Sequence, residues 1–182
     1  MASYTMDMVF EYAKVFKENA DMGDPNGNKV SKDIANKGGH TSVNAYFTSE
    51  EDMQKLIDDG LDLAPMGHPR IKDGNTEFGI GKFITFKRDV QDKIKTFENK
   101  NGPVEVNYGG LPKVVDMRNG RENRTVWSYS DNGPVGNGTK GPLKFSVYAN
   151  GAGVRLDALG VDDLVEWEDY EPEDDIFNLD VA

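Results

Sequence analysis

Residues 77–88 read Glu77-Phe-Gly-Ile-Gly-Lys-Phe-Ile-Thr-Phe-Lys-Arg88. Phe78, Ile80, Ile84 and Phe86 share one parity and suit a core. Gly79, Gly81, Phe83, Thr85 and Lys87 share the other. A period of two is that of a strand with one buried face. Glycines inside a strand weaken it but let it coil sharply or meet another backbone closely. Lys82 interrupts the apolar parity and marks a bulge. A strand built to coil belongs in a small barrel rather than in a flat sheet.

The flanking segments agree. Residues 42–48 alternate, with Val43, Ala45 and Phe47 on one side and Asn44, Tyr46 and Thr48 on the other. Ser49 then caps a helix, with Asp52 as its reciprocal partner, an apolar stripe of Met53, Leu56 and Ile57, and Gly60 as the stop. Upstream, residues 8–16 mix aromatic and β-branched side chains and read as a first strand. Residues 19–41 read as a long loop. It resembles a calcium loop but lacks glycine at the sixth position and glutamate at the twelfth. Downstream, Asp89 caps a second helical pattern of Val90, Ile94 and Phe97, stopped by residues 99–103. Short runs at 104–108 and 113–116, a polar region at 118–142, a strand at 143–148 and a closing segment at 153–167 complete the chain. Five to six strands, Gly-rich turns and one or two short helices predict a mainly β fold, a small barrel.

The net charge of −11 is unevenly distributed over the 182 residues. Residues 66–155 hold 15 Lys/Arg against 9 Asp/Glu, whereas residues 166–182 hold eight acidic residues and no basic one. The boundaries expected are a domain at 1–165 and an acidic interaction tail at 166–182. A basic middle with an acidic end suggests a polyanion-binding surface and an internal competitor for it. The absence of cysteine excludes disulfides and thiolate sites, and the two histidines have no metal-ligand spacing. No cofactor and no metal are expected. The first residues lack a signal-peptide pattern and no stretch reaches transmembrane length, so a cytoplasmic location without membrane contact is expected.

Phosphate-binding, dinucleotide-binding and nucleophile-elbow motifs are missing, and the acid pairs Asp58/Asp59 and Asp162/Asp163 read as solvated turns. Catalysis is not expected. The stronger signal is cations interleaved with aromatics on outward faces. Tyr46, Phe83 with Lys87, and Lys144 with Tyr148 oppose the apolar parity, and Arg88 follows Lys87. Arg118, Arg121, Arg124, Trp127, Tyr129 and Lys140 cluster in the polar region. Cations neutralise a phosphate backbone, and rings stack on bases without regard to sequence.

Several segments carry a resemblance. Tyr12-Ala13 in a strand, Ser42–Thr48 leading into a capped helix, the strand at 76–86 and Val114-Val115-Asp116 come in that order. Then follow Gly136-Asn-Gly-Thr-Lys140-Gly-Pro-Leu143-Lys-Phe-Ser-Val-Tyr148, Val154-Arg-Leu-Asp-Ala-Leu and Leu164-Val-Glu-Trp167. With the acidic tail, this order resembles the replicative single-stranded-DNA-binding proteins of short-tailed phages. The resemblance implies an OB-fold Greek-key barrel that binds single-stranded DNA in a bacterial host cell. It implies a DNA face including Phe83, Lys87, Lys144 and Tyr148. It also implies a tail that contacts phage DNA polymerase and helicase–primase and supports a homodimer. The partner-binding residues expected in that tail are Glu173, Asp174, Asp175, Ile176, Phe177 and Asp180. This chain departs from the pattern by ending Phe177-Asn-Leu-Asp-Val-Ala rather than on an aromatic residue. The alternative from charge alone is an acidic DNA mimic that inhibits a nuclease.

Overall fold

The computed structural model describes residues 1–167. Its spine is β1 (Ala2–Lys14), paired antiparallel with β2 (His40–Phe47) on one side and with β9 (Thr139–Tyr148) on the other. Met6, Met8 and Phe10 alternate inward along β1 and are buried. Val43, Ala45 and Phe47 of β2 and Leu143 and Phe145 of β9 meet them in the same core. β2 pairs with β4 (Lys82–Asp89), whose other edge carries the two-residue β3 (Lys72–Asp73). On the far side β9 pairs with β10 (Gly153–Val161), β10 runs parallel to β7 (Lys113–Asp116), and β7 pairs with β8 (Thr125–Val126). The eight-stranded order β3-β4-β2-β1-β9-β10-β7-β8 does not close on itself. β5 (Ile94–Phe97) and β6 (Val104–Asn107) form a separate hairpin.

The sheet nevertheless curls. Phe86 of β4 and Phe145 of β9, three strands apart in the sheet, place their ring centroids 5.1 Å apart across the interior. Arg88 bridges the resulting seam. Its Nη1 donates to the Leu156 carbonyl of β10 at 2.6 Å, and its Nε and Nη2 donate to the Gly109 carbonyl after β6 at 2.9 and 2.6 Å. One side chain thus ties β4, β10 and the hairpin together where backbone pairing is missing. At its other end the hairpin docks through Lys100 N–H on Asn150 Oδ1 and Asn150 N–H on Asn99 Oδ1.

The capped helix α2 (Glu50–Asp58) follows its sequence signal, with Ser49 Oγ accepting from Asp52 N–H at 3.2 Å and Leu56 buried. Elsewhere the expectations need correction. Among the described residues ten strands stand where five to six were expected, some of them, such as β3 and β8, only two residues long. The region read as a loop contains α1 (Lys29–Asn36), capped by Asn28 Oδ1 accepting from Ser31 N–H at 2.9 Å. Its apolar pair, Val30 and Ile34, has helical spacing, but Val30 is exposed and no side chain of the helix is fully buried. The helical pattern after Asp89 is the hairpin instead: Ile94–Phe97 pairs with Val104–Asn107, and the supposed helix stop at 99–103 is its turn. The short helix α3 (Tyr129–Asn132) lies in the polar region.

The strand beginning at Glu77 begins at Lys82. Gly79, at φ +51, lies in a turn where Ile80 N–H reaches the Phe47 carbonyl at 2.9 Å, and a Cβ on Gly79 would stand 2.0 Å from that oxygen. Only glycine fits this approach. Lys82 opens β4 opposite Asp73 without a bulge. The bulges lie instead in β1, between Glu11 and Lys14, and in β10, between Leu156 and Ala158. Pairing continues beyond β10 to Glu166, which bridges Val135. No described helix is long and apolar enough to cross a membrane.

Candidate nucleic-acid interface

A cleft of about 370 Å³ opens beside the seam, between β4 and the start of β10. Arg70, Lys72 and Lys87 line it with Tyr148, and no carboxylate does. Arg70 reaches it from the connection after α2. Its Nη2 donates to the Gly151 and Ala152 carbonyls at 2.8 and 3.2 Å, and its Nη1 to the Leu63 carbonyl at 3.3 Å. Burial lowers its pKa, but a guanidinium this basic stays charged. Carbonyl dipoles fix its direction without cancelling its charge. Neither Lys72 nor Lys87 forms an ion pair among the described residues.

A second cleft, of about 550 Å³, is lined by Arg88, Lys113, Lys144 and Arg155 against one carboxylate, Asp157. Arg155 Nε donates to Asp157 Oδ1 at 2.6 Å and its Nη1 to the Asn107 carbonyl at 3.0 Å. Ser146 Oγ also donates to Asp157. Tyr148 lines the first cleft and ends β9, the strand whose Lys144 and Ser146 line the second. Burial pushes its phenol up, while Arg155 and Arg70 both pull it down. Its ring meets Phe97 at 4.9 Å and Tyr108 at 6.2 Å between centroids. Lys95 Nζ lies 5.5 Å from the Phe97 ring. Cations and half-buried rings therefore alternate from β3 across the seam to β9.

The outward face of β4 and β2 is less open than its alternation suggests. Lys87 is exposed and stands in register with Ser42, which faces Lys14 on β1. Tyr46 is buried, against the expectation of a projecting ring. Phe78 meets it edge-on at 5.4 Å and Phe83 at 5.0 Å. Its hydroxyl donates to Glu11 Oε1 at 3.2 Å and accepts from Asn75 N–H at 3.0 Å. The sequence supplied the correct side of the strand but not the loop at 74–78 that covers it. Phe83 lies half-buried at the rim of that cluster, with Gly74 above its ring.

The arginine-rich region turns inward on itself. Arg118 Nη2 meets Asp116 Oδ2 at 2.8 Å, and its guanidinium covers the Trp127 ring at 4.8 Å. Trp127 is buried, with its indole N–H on the Gly133 carbonyl at 2.8 Å. Tyr129 packs on Phe16 at 5.1 Å. Arg121 bridges Asp7 and Asp162, each at 2.7 Å, and those hydrogen bonds raise its pKa. Arg124 and Lys140 are exposed, but Lys140 pairs by backbone with Asp163, beside the Asp162 that Arg121 holds. The rings expected to stack are structural here, and two of the three arginines are neutralised. Lys144, exposed on β9, lines the second cleft, and Tyr148 lines the first. Arg88, read as a phosphate contact, spends its donors on carbonyls.

Sequence reading missed Arg70, Lys72, Lys113, Arg155, Phe97 and Tyr108. The alternation of β10 offered a signal for Arg155, opposite in parity to Leu156. The alternation of Val104 and Val106 with Glu105 and Asn107 marks β6, whereas Ile94 and Phe97 of β5 fall on opposite parities and give no strand signal. Nothing local announces Arg70, two of whose carbonyl partners lie 81 and 82 residues away. The expected tail residues, Glu173 to Asp180, lie outside the described residues. No protein-family model matches this chain, and neither a curated protein nor a solved structure does.

Proposed function

We propose that this chain is a sequence-tolerant single-stranded-DNA-binding protein of the phage replication and recombination type, and not an enzyme. In this reading the coiled sheet, with its seam bridged by Arg88, is an OB-fold-like Greek-key barrel. The strand of DNA follows the seam. Lys72, Arg70 and Lys87 take phosphates on one side, and Lys113 and Lys144 on the other, while Arg155, paired with Asp157, is spent on the scaffold, and Tyr148 offers a face beside them. The observation that carries the reading is this lining: three cations in one cleft and four in the next, against a single carboxylate, around a ring. Backbone neutralisation by such cations supplies affinity regardless of sequence, and stacking adds about 1–3 kcal/mol per base. Of the acidic segment 166–182, the residues beyond Trp167 compete for the same surface, and when DNA displaces them they dock replication proteins such as a phage polymerase or helicase–primase.

Titration of the chain with oligo-dT at two salt concentrations tests the proposal. Binding that weakens steeply with salt is the expected result. No binding at low salt overturns it and favours the acidic-mimic reading, which the net charge of −11 motivates. Deleting 168–182 tightens binding, most at low salt, if the tail competes.

A further inference from the structure

A third cavity, of about 430 Å³, has the opposite character. Tyr12, Phe78 and Trp167 line it together with Glu77 and Glu166, and no cation does. We propose that this cavity is a cation-binding aromatic cage that accepts a lysine or arginine side chain from a basic segment of a partner protein. The inference does not depend on the DNA reading.

The geometry is built by the fold. Tyr12 sits at the β1 bulge with φ +51, a left-handed conformation rare for a large side chain. Its N–H donates to Asn137 Oδ1 at 2.7 Å, which holds the turn, while Ala13 beside it is buried and bridges Val135. The ring is left 56% exposed at the cavity. A strained residue that presents an aromatic ring to solvent does nothing for the core, and such strain gathers at binding sites. Trp167 is placed from the other side. Gly136 N–H donates to the Val165 carbonyl at 2.9 Å, and Glu166 bridges Val135. Phe78 completes the wall, backed by Tyr46.

The occupant follows from charge. Aromatic faces carry negative potential and attract ammonium and guanidinium groups. Two carboxylates at the same cavity add to that attraction and repel a phosphate backbone. In sequence, Trp167 continues into Glu168-Asp169, which strengthens the same sign. The seam clefts suit a polyanion, whereas this cavity suits a cation, so the two surfaces would engage different ligands.

The test uses the full chain and three peptides at matched ionic strength: acetyl-Gly-Lys-Gly-amide, its Nε-trimethyl form and its neutral Nε-acetyl form. Trp127 is buried, so emission changes report on Trp167. The expected result is saturable quenching by the two cationic peptides and none by the neutral one. Tyr12→Asn, which removes the ring at a φ that asparagine tolerates, weakens binding by about two- to fivefold. Glu77→Gln weakens it by a similar factor of about two to five. Equal response to the neutral peptide, no saturable response, or unchanged affinity in both variants overturns the proposal. Quenching by oligo-dT that is lost in Tyr12→Asn, with none by the lysine peptide, overturns it in favour of a nucleobase pocket.

Discussion

The seam and the arginine-rich segment at 116–129 use the same side chains to opposite ends. Both place guanidinium groups beside aromatic rings. At the seam Arg70 and Arg88 direct their donors to backbone carbonyls, which orient a cation without neutralising it. In the segment Arg118 and Arg121 meet the carboxylates of Asp116, Asp7 and Asp162. Each such pair is close to neutral at a distance, so its field over the surface is small. What decides whether a cation can recruit an anion is the formal charge of the group it already holds. A count of Lys and Arg along the chain cannot supply that.

The sharpest way to break this comparison is at Arg88. Arg88→Met strips the Leu156 and Gly109 carbonyls of their donor, and an unsatisfied buried polar group costs about 1–3 kcal/mol. The expected loss, measured by urea unfolding, is about 3 kcal/mol in all. A loss under 1 kcal/mol would mean that the seam is held elsewhere. Next comes Tyr148→Leu, which keeps apolar contact with Phe97 and Tyr108 but removes the face. Oligo-dT affinity falls by about 1–3 kcal/mol with little change in the salt slope. A changed slope with unchanged affinity at low salt would assign Tyr148 to the scaffold alone.

Lys72→Ala and Lys87→Ala each reduce the slope of log K against log salt by about one, the signature of one phosphate contact. Arg118→Gln and Arg121→Gln leave that slope unchanged and cost at most about 1 kcal/mol of stability, as exposed ion pairs do. Equal slopes for all four variants would erase the distinction between the regions. The smallest effect is in acid. The Arg118 hydrogen bond holds the Asp116 carboxyl below its usual range. The stabilisation from a depressed carboxylate is present above its unfolded pKa and disappears as pH falls through the folded one. Carboxyl NMR should show Asp116 titrating below the ordinary aspartate value, and Arg118→Gln should return it there.

The sequence reached the outline of the fold through local rules. The Ser49 cap and Gly60 stop of α2 depend on neighbours within a turn. The alternations at 42–48, 77–88 and 143–148 depend on the two-residue period of a pleated strand; β2 takes the first as far as Phe47, β4 the second only from Lys82, and β9 contains the third. Val90, Ile94 and Phe97 satisfy a helical period by chance, whereas the pairing with β6 and the contacts with Arg88, Asn150 and Tyr148 that hold this segment as a hairpin come from outside it. Helix α1 escapes a local reading because its apolar pair, Val30 and Ile34, is short and sits within a stretch rich in Gly, Asn and Asp.

For the site, the sequence by itself determined which residues could matter chemically: cations beside rings in a basic middle segment, and the correct side of each strand. It placed Lys87, Lys144 and Tyr148 where the clefts are. Tertiary structure alone decided which of those groups remain available. Tyr46 disappears under a loop, Trp127 under an arginine, and Arg70 arrives from a segment with no pattern of its own. The physical reason is range. Side-chain parity and capping are set within a few residues, whereas burial and charge compensation are settled by partners that the chain brings together only when the sheet curls.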